Sequence, residues 1–312
     1  MLPDRLVMAG KLAGRVGLIL ALAGVWSVDG QVRYRANSKY NQITVEDQGG
    51  YRLLRFNGSM ETRMWLGNHL RGHFEYTEYF QLPLLWNPNA KRVMIMGLGG
   101  GSAQRAFAAY YPDIHVDTVE LDPMVVQVAT DGRYFNVQQN AKHKIHVGDG
   151  RQFIRVNKAI KYDAIAMDAY TSNKYGSHIP YHLATKEFFQ LVSSRLTDNG
   201  VLAYNVIGSY QNFRADIVGS MYNTIKSVFP HVYHFPASDS KNVVILGVKS
   251  KQGLTNVSLK AKVTALRQAR KLPAHFGPRL KRIRAQAPPS AAKSPVLTDN
   301  FAPTNGLLMP KR

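Results

Sequence analysis

The apolar positions of this chain change rhythm along its length, and the change divides it. Arg92 to Met96 reads RVMIM, an uninterrupted apolar run of strand length, as expected of a strand buried on both faces. Strand-like and helix-like stretches then alternate: strand Val116 to Glu120, helix from Pro123, strand Ile145 to Val147, helix from about Arg151, strand Ala164 to Met167, helix Lys186 to Leu196, strand Val201 to Val206. A long helix, about Phe213 to Phe229, and strands His231 to Phe235 and Val243 to Val248 complete the series. This alternation predicts an α/β fold on an open parallel sheet. Pro123 suits a first helical turn, and Asp198-Asn199-Gly200 predicts the turn from helix into strand.

Upstream the pattern is different. From Gln31 to Trp65 short strands separated by turns predict a small antiparallel module: Ile43 to Val45, then Tyr51 to Phe56, broken by the hairpin signal Asn57-Gly58. A helix is expected from about Phe74 to Leu85. The division is then a signal-like or anchor segment over 1–30, a β module over 31–72, the main domain over 73–250 and a basic tail over 251–312. The N-terminal apolar run, Val16 to Trp26 behind Arg5, Lys11 and Arg15, is short against the roughly 20 residues of a spanning helix. Signal peptide, interfacial anchor and a misplaced start all stay open.

Composition narrows the chemistry. At 312 residues and 45% hydrophobic the chain can bury one large core and a small accessory module. It has no cysteine, which excludes disulfides, thiolate zinc sites and a cysteine nucleophile. The formal charge is +20, with twelve Lys or Arg and no acid between Lys249 and Lys293. Such a block favours polyanions, either nucleic acid or an anionic membrane, unless it is simply a solvated tail. The histidines offer no helix pair with a partner acid, because the neighbouring His178 and His182 flank Pro180, so no metal is expected.

The candidate chemistry sits at strand ends. Gly97-Leu98-Gly99-Gly100-Gly101-Ser102 follows the first buried strand and opens a helix, where glycines let a ligand approach the backbone. Ser102 breaks the G-x-G-x-x-G spacing, leaving the looser form used for adenosyl groups without a pyrophosphate. Glu120, about 20 residues on at the end of the second strand, is placed to accept from ribose hydroxyls. Gly148-Asp149-Gly150 ends the third strand, where a carboxylate and backbone amides can read an adenine edge, and Asp168 ends the fourth. Ligands of open α/β sheets bind outside the carboxyl ends of the strands, so Gly97, Gly99, Gly101, Glu120, Asp149, Gly150 and Asp168 should converge on one crevice.

In order and spacing, Tyr40-Asn41-x-Ile43-x-Val45, Tyr76-x-Glu78, the GLGGGS loop, Val119-Glu120-Leu121-Asp122, Gly148-Asp149-Gly150-Arg151 and Tyr162-Asp163-Ala164-Ile165-Ala166-Met167-Asp168 resemble the spermidine synthase (polyamine aminopropyltransferase) family. Phe229-Pro230-His231-Val232, Asn242-Val243-Val244 and Leu297-Thr298-Asp299-Asn300-Phe301-Ala302-Pro303 extend the likeness to its spermidine-synthase-like bacterial branch. The resemblance implies a Rossmann-like sheet of the class I methyltransferase type and homo-oligomers; an adenosyl cofactor, scarce outside the cytoplasm, points to a cytoplasmic location, with membrane association through the N-terminal apolar segment left open. The reaction it implies moves an aminopropyl group from decarboxylated S-adenosylmethionine to a polyamine amine. On the same basis Asp168 would be the base, Tyr76 would position the acceptor amine, Asn41 would lie near the nucleoside, and Tyr170 would face the substrate.

The sequence departs from the family pattern at three positions. The loop's usual Asp is Gly100, the second acid of D-x-x-D is Thr171, and Thr77 stands where a His is usual. Glu75, Glu78 and Asp239 are candidate replacements for the missing acids. Two other classes compete with the transferase reading. One is an S-adenosylmethionine-dependent methyltransferase, without a D/N-P-P-Y motif in this chain; the other is a non-catalytic nucleoside binder with a polyanion-binding tail.

Overall fold

The computed structural model describes residues 30–173, 176–210, 214–304 and 307; the N-terminal apolar run lies outside them. Four strands form an antiparallel meander in sequence order: β1 Gln31–Asn37, β2 Gln42–Gln48, β3 Tyr51–Phe56 and β4 Ser59–Trp65. Asn57 and Gly58 both take positive φ, 51° and 87°, as the two-residue turn between β3 and β4 requires. The meander buries Ile43, Val45, Leu54 and Met64 against Val125, Val128 and Ala129 of the main domain.

The main sheet has seven strands: β5 Arg92–Met96, β6 His115–Glu120, β7 His143–Val147, β8 Tyr162–Met167, β11 Leu196–Ile207, β12 His231–Pro236 and β13 Asn242–Val248. They lie in the order β12-β13-β11-β8-β5-β6-β7. A separate hairpin, β9 Thr171–Asn173 with β10 Gly176–His178, follows β8. The helices are α1 Ser102–Tyr110, α2 Pro123–Thr130, α3 Gly150–Val156, α4 Lys186–Arg195, α5 Ile217–Lys226, α6 Asn256–Ala269 and α7 Phe276–Leu280. Two aspartates cap helices: Asp122 accepts from the Met124 N–H beside Pro123, and Asp149 accepts from the Gln152 N–H.

Alternation along the strands separates two cores. Met94, Met96, Ile165, Met167, Leu202 and Tyr204 face α4 and α5, whereas Val93, Ile95, Ala164, Ala166, Val201 and Ala203 face the segment Glu75–Leu85 and the C-terminal helices. The chain leaves β5 toward β6 and β7 on one side and reaches β8 and β11 on the other, so the strand order reverses between β5 and β8. That reversal opens the crevice described below.

Four expectations need correction. The sheet is mixed, because β13 runs antiparallel to both β11 and β12. Glu75–Leu85 is a 3-10 helix, consistent with the interior Pro83, which has no N–H to donate. Asp198-Asn199-Gly200 lies within β11, at the register shift between Leu196 and Val201. The long fifth helix spans only Ile217–Lys226, and 211–213 lie outside the described residues.

The basic C-terminal segment is not a free tail. Leu266 and Phe276 are buried in the core around Glu75–Leu85, and Leu297 is buried in the opposite core. Arg284 exchanges both backbone hydrogen bonds with His234, 2.9 and 3.0 Å, and so covers part of the β12 edge. Arg270 bonds Asp113 and the carbonyls of Pro88 and Ala90, and Arg151 holds Asp299 through two bonds. Charges that read as a polyanion signal thus fasten the segment to the domain. Leu266→Ala should lower stability to urea by about 2 to 5 kcal/mol, whereas Val257→Ala, on the exposed side of the same helix, should change it by under about 0.5 kcal/mol. Equal effects would mean that the segment is not packed.

Candidate active site

A cavity of about 350 Å³ opens at the carboxyl ends of β5, β6, β7 and β8. It is lined by Asn41, Tyr76, Gly97, Gly99, Glu120, Asp149, Gly150, Asp168 and Tyr170, so most of the residues expected at the site meet there.

The glycine loop shows why no other residue fits. Gly97 has φ of +98°, and a Cβ there would lie 2.2 Å from the Asp168 carbonyl oxygen. The ends of β5 and β8 therefore touch backbone to backbone, which sets Asp168 beside the loop. A Cβ on Gly100 would meet the Thr62 methyl at 2.7 Å and the Phe135 ring at 2.9 Å, and its N–H donates to Thr62 Oγ1. The acid that the family resemblance led us to expect at this position has no room without local repacking.

Glu120 accepts from the backbone N–H of Leu98 and of Asp122, 2.9 Å each, tying the loop to the β6 end. Its pKa is raised because burial disfavours the charged form. Asp149 caps α3 with one oxygen and meets His182 Nε2 at 2.9 Å with the other; this contact holds its pKa below the usual value. Asn41 accepts from Asn57 Nδ2 at the cavity rim.

Asp168 is held by two side-chain donors. Tyr76 Oη donates to its Oδ2 at 3.1 Å and Asn205 Nδ2 to its Oδ1 at 2.8 Å, while Asn242 Nδ2 in turn donates to Asn205 Oδ1. Burial pushes its pKa up from 3.8 to about 6, against the downward pull of the two donors. Burial, with Asp168 adjacent, also puts the Tyr76 phenol well above its ordinary value, so it stays a donor. Tyr170 spends its hydroxyl on the β11 backbone, donating to the Asn205 carbonyl and accepting from Ile207 N–H.

Three expected residues lie elsewhere. Glu78 is bound by His73 and Arg279. Asp239 pairs with Arg63 and accepts from the Glu75 N–H. Gly101 begins α1 against Val137 and does not line the cavity. Glu75 is likewise engaged, by Ser238, Arg279 and Arg282. The two glutamates were available on paper, but the basic C-terminal segment takes them both.

Conversely, Glu61 and Asn205 line the cavity and were not singled out in the sequence, and His182, weighed there only against a metal site, lines it too. Asn205 stands near the end of a buried strand, the same signal that marked Asp168. Glu61 carries no such mark, since only the docking of the meander brings β4 over the sheet. Among the described residues no three His, Asp or Glu side chains gather as a metal-binding group.

An acid whose pKa is higher folded than unfolded opposes folding once it must ionise, so the penalty appears as pH rises through the interval from about 4 to about 6. The stability of Asp168→Asn relative to the unsubstituted protein should therefore grow across that interval, by up to about 3 kcal/mol, and stay level above it. A pH-independent difference would mean an unperturbed Asp168.

Residues 73–256 of the chain match the model of the "Spermine/spermidine synthase domain". The chain is 34% identical over 223 residues to a polyamine aminopropyltransferase of Vibrio vulnificus, covering 69% of this chain and 71% of the relative. Over 174 residues it is 31% identical to the eEF1A lysine and N-terminal methyltransferase of Xenopus laevis, spanning 53% of this chain and 24% of that protein. A crystal structure of a probable spermidine synthase from Corynebacterium glutamicum superposes with a TM-score of 0.60 at 20% identity, covering 76% of this chain and 86% of that one. Among the described residues no helix is long and apolar enough to cross a membrane. The chain belongs to the spermine/spermidine synthase family and is a transferase with a Rossmann-like, methyltransferase-type sheet and a separate N-terminal meander.

Proposed function

We propose that the protein transfers an aminopropyl group from decarboxylated S-adenosylmethionine to a primary amine of a polyamine. One observation carries the reading: in a chain of net charge +20, the described cavity wall holds Glu61, Glu120, Asp122, Asp149 and Asp168 and no Lys or Arg. A sulfonium donor bearing an ammonium and no carboxylate, and an ammonium acceptor, both suit that field. The family membership and the Vibrio relative's name support the same chemistry.

The proposed step is a displacement at carbon. Free amines of this kind have a pKa of about 10.4 and arrive protonated. Asp168 takes a proton, and the freed nitrogen lone pair attacks the aminopropyl carbon bonded to sulfur. The N–C bond forms as the C–S bond breaks. The bonding pair goes to sulfur, which becomes the neutral thioether of methylthioadenosine. Tyr76 Oη and Asn205 hold the Asp168 carboxylate in place during the transfer. Glu120 would take the ribose hydroxyls and Asp149 with Gly150 the adenine edge. Alignment of the two reactants in the cavity supplies much of the rate.

Purified protein supplied with this donor and an amine should release methylthioadenosine with an aminopropylated amine, read by mass spectrometry. Release of adenosylhomocysteine from S-adenosylmethionine would establish the methyltransferase class instead. Asp168→Asn should lower kcat by about 10² to 10⁴ while donor binding persists. In the unsubstituted enzyme kcat/KM should fall as pH drops below about 6, where Asp168 becomes protonated. An acid limb unchanged in Asp168→Asn would remove Asp168 as the base.

A further inference from the structure

Resting on the nucleoside placement of that reading, we infer that the stretch 297–301 sets adenine specificity from outside the cavity, by holding His182 so that it aims the Asp149 carboxylate at the adenine amino group. Asp149 and Gly150 close the β7 end of the cavity, and His182, on the 3-10 turn Tyr181–Leu183, lines it with them. Asp149 Oδ1 is taken by the Gln152 N–H at 2.8 Å, so Oδ2 is the oxygen left for a ligand. Oδ2 lies 2.9 Å from His182 Nε2; a carboxylate only accepts, so Nε2 carries the proton and donates. A carboxylate oxygen can accept two bonds, and where His182 stands decides the direction of the lone pair that remains on Oδ2.

His182 is gripped twice by one short segment. Asp149 meets its ring, and Arg151, two residues on, donates from Nη1 to its backbone carbonyl at 2.9 Å. The same Nη1 donates to Asp299 Oδ1 at 2.8 Å and Nη2 to Oδ2 at 2.6 Å, a forked pair that fixes the guanidinium plane. Asp299 is itself held. Thr185 Oγ1 donates to its Oδ1 at 2.6 Å, its own N–H donates to Glu187, and two hydrogen bonds between Thr298 and Phe301 close the turn that carries it. Leu297, fully buried, roots this turn: its N–H donates to Thr224 Oγ1 and its carbonyl accepts from the Lys186 N–H. Arg151 also feels the charges of Glu187 and Asp149. A guanidinium released from Asp299 is free to pair with Asp149 and occupy Oδ2, which the forked pair prevents. The stretch continues into Ala302 and Pro303, which with Leu121, Pro180 and His182 line an adjoining cavity, and those last three line the main cavity as well. Residues 297–303 therefore back this end of the crevice, although none of them is part of the main cavity wall.

Calorimetric titration with methylthioadenosine and with methylthioinosine, which carries a carbonyl in place of the amino group, tests this. The unsubstituted protein should bind methylthioadenosine about a hundredfold more tightly. His182→Ala and Asp299→Ala should each lower that ratio about tenfold by weakening methylthioadenosine, with methylthioinosine changed less than twofold. His182→Gln, whose amide can donate to Asp149 in place of Nε2, should retain most of the ratio. Asp131→Ala, which breaks an exposed Asp–Arg pair outside the cavity wall, should leave both affinities unchanged. Equal weakening of both nucleosides by His182→Ala or Asp299→Ala, or an unchanged ratio, overturns the inference, as does a His182→Gln protein that behaves like His182→Ala. Equal binding of the two nucleosides by the unsubstituted protein overturns it and leaves the transferase reading to stand on its products; binding of neither removes both.

Discussion

The site depends on a single close approach, that of Gly97 to the backbone of Asp168. A side chain at Gly97 would fall 2.2 Å from the Asp168 carbonyl oxygen. Its absence lets the ends of β5 and β8 meet where the strand order reverses, placing the glycine loop and the carboxylate side by side at one crevice. The remaining parts build on that contact. Glu120 anchors the loop through the Leu98 amide, and the Tyr76–Asp168–Asn205–Asn242 chain of hydrogen bonds steadies the carboxylate.

A second constraint acts from outside the sheet. Tyr76 sits on a 3-10 helix buried along nearly its whole length, flanked by Glu75 and Glu78. Arg279 and Arg282 of the C-terminal segment bind those two acids, and Phe276 and Leu280 pack on the same helix. The basic segment is thereby neutralised in part and turned into a brace for the element that carries Tyr76. Net charge and local field have opposite signs in this protein, and the local field is the one a bound ligand meets.

Much of the main domain was legible because buried strands write themselves as apolar runs and strand ends mark the crevice. RVMIM, the glycine loop, Glu120, Asp149 and Asp168 were visible for that reason. What was not legible has a common cause, contacts between segments far apart in sequence. Glu78 and Asp239 look available until Arg279 and Arg63 are folded against them. Glu61 looks like an ordinary polar residue of an exposed hairpin until the meander docks on α2. The antiparallel β13 was hidden because a strand's direction leaves no trace in its composition. The basic segment read as solvated because its apolar residues, Leu266, Phe276 and Leu297, are too widely spaced to show a period.

The central claim is that the crevice is built for a cationic nucleoside donor without a carboxylate. Calorimetric titration of decarboxylated S-adenosylmethionine and of S-adenosylmethionine under the same conditions tests it most directly, because the two differ only in that group. The account predicts clearly tighter binding of the decarboxylated donor, since a carboxylate entering this cavity would meet Asp168 and Glu61. Equal or tighter binding of S-adenosylmethionine would contradict it.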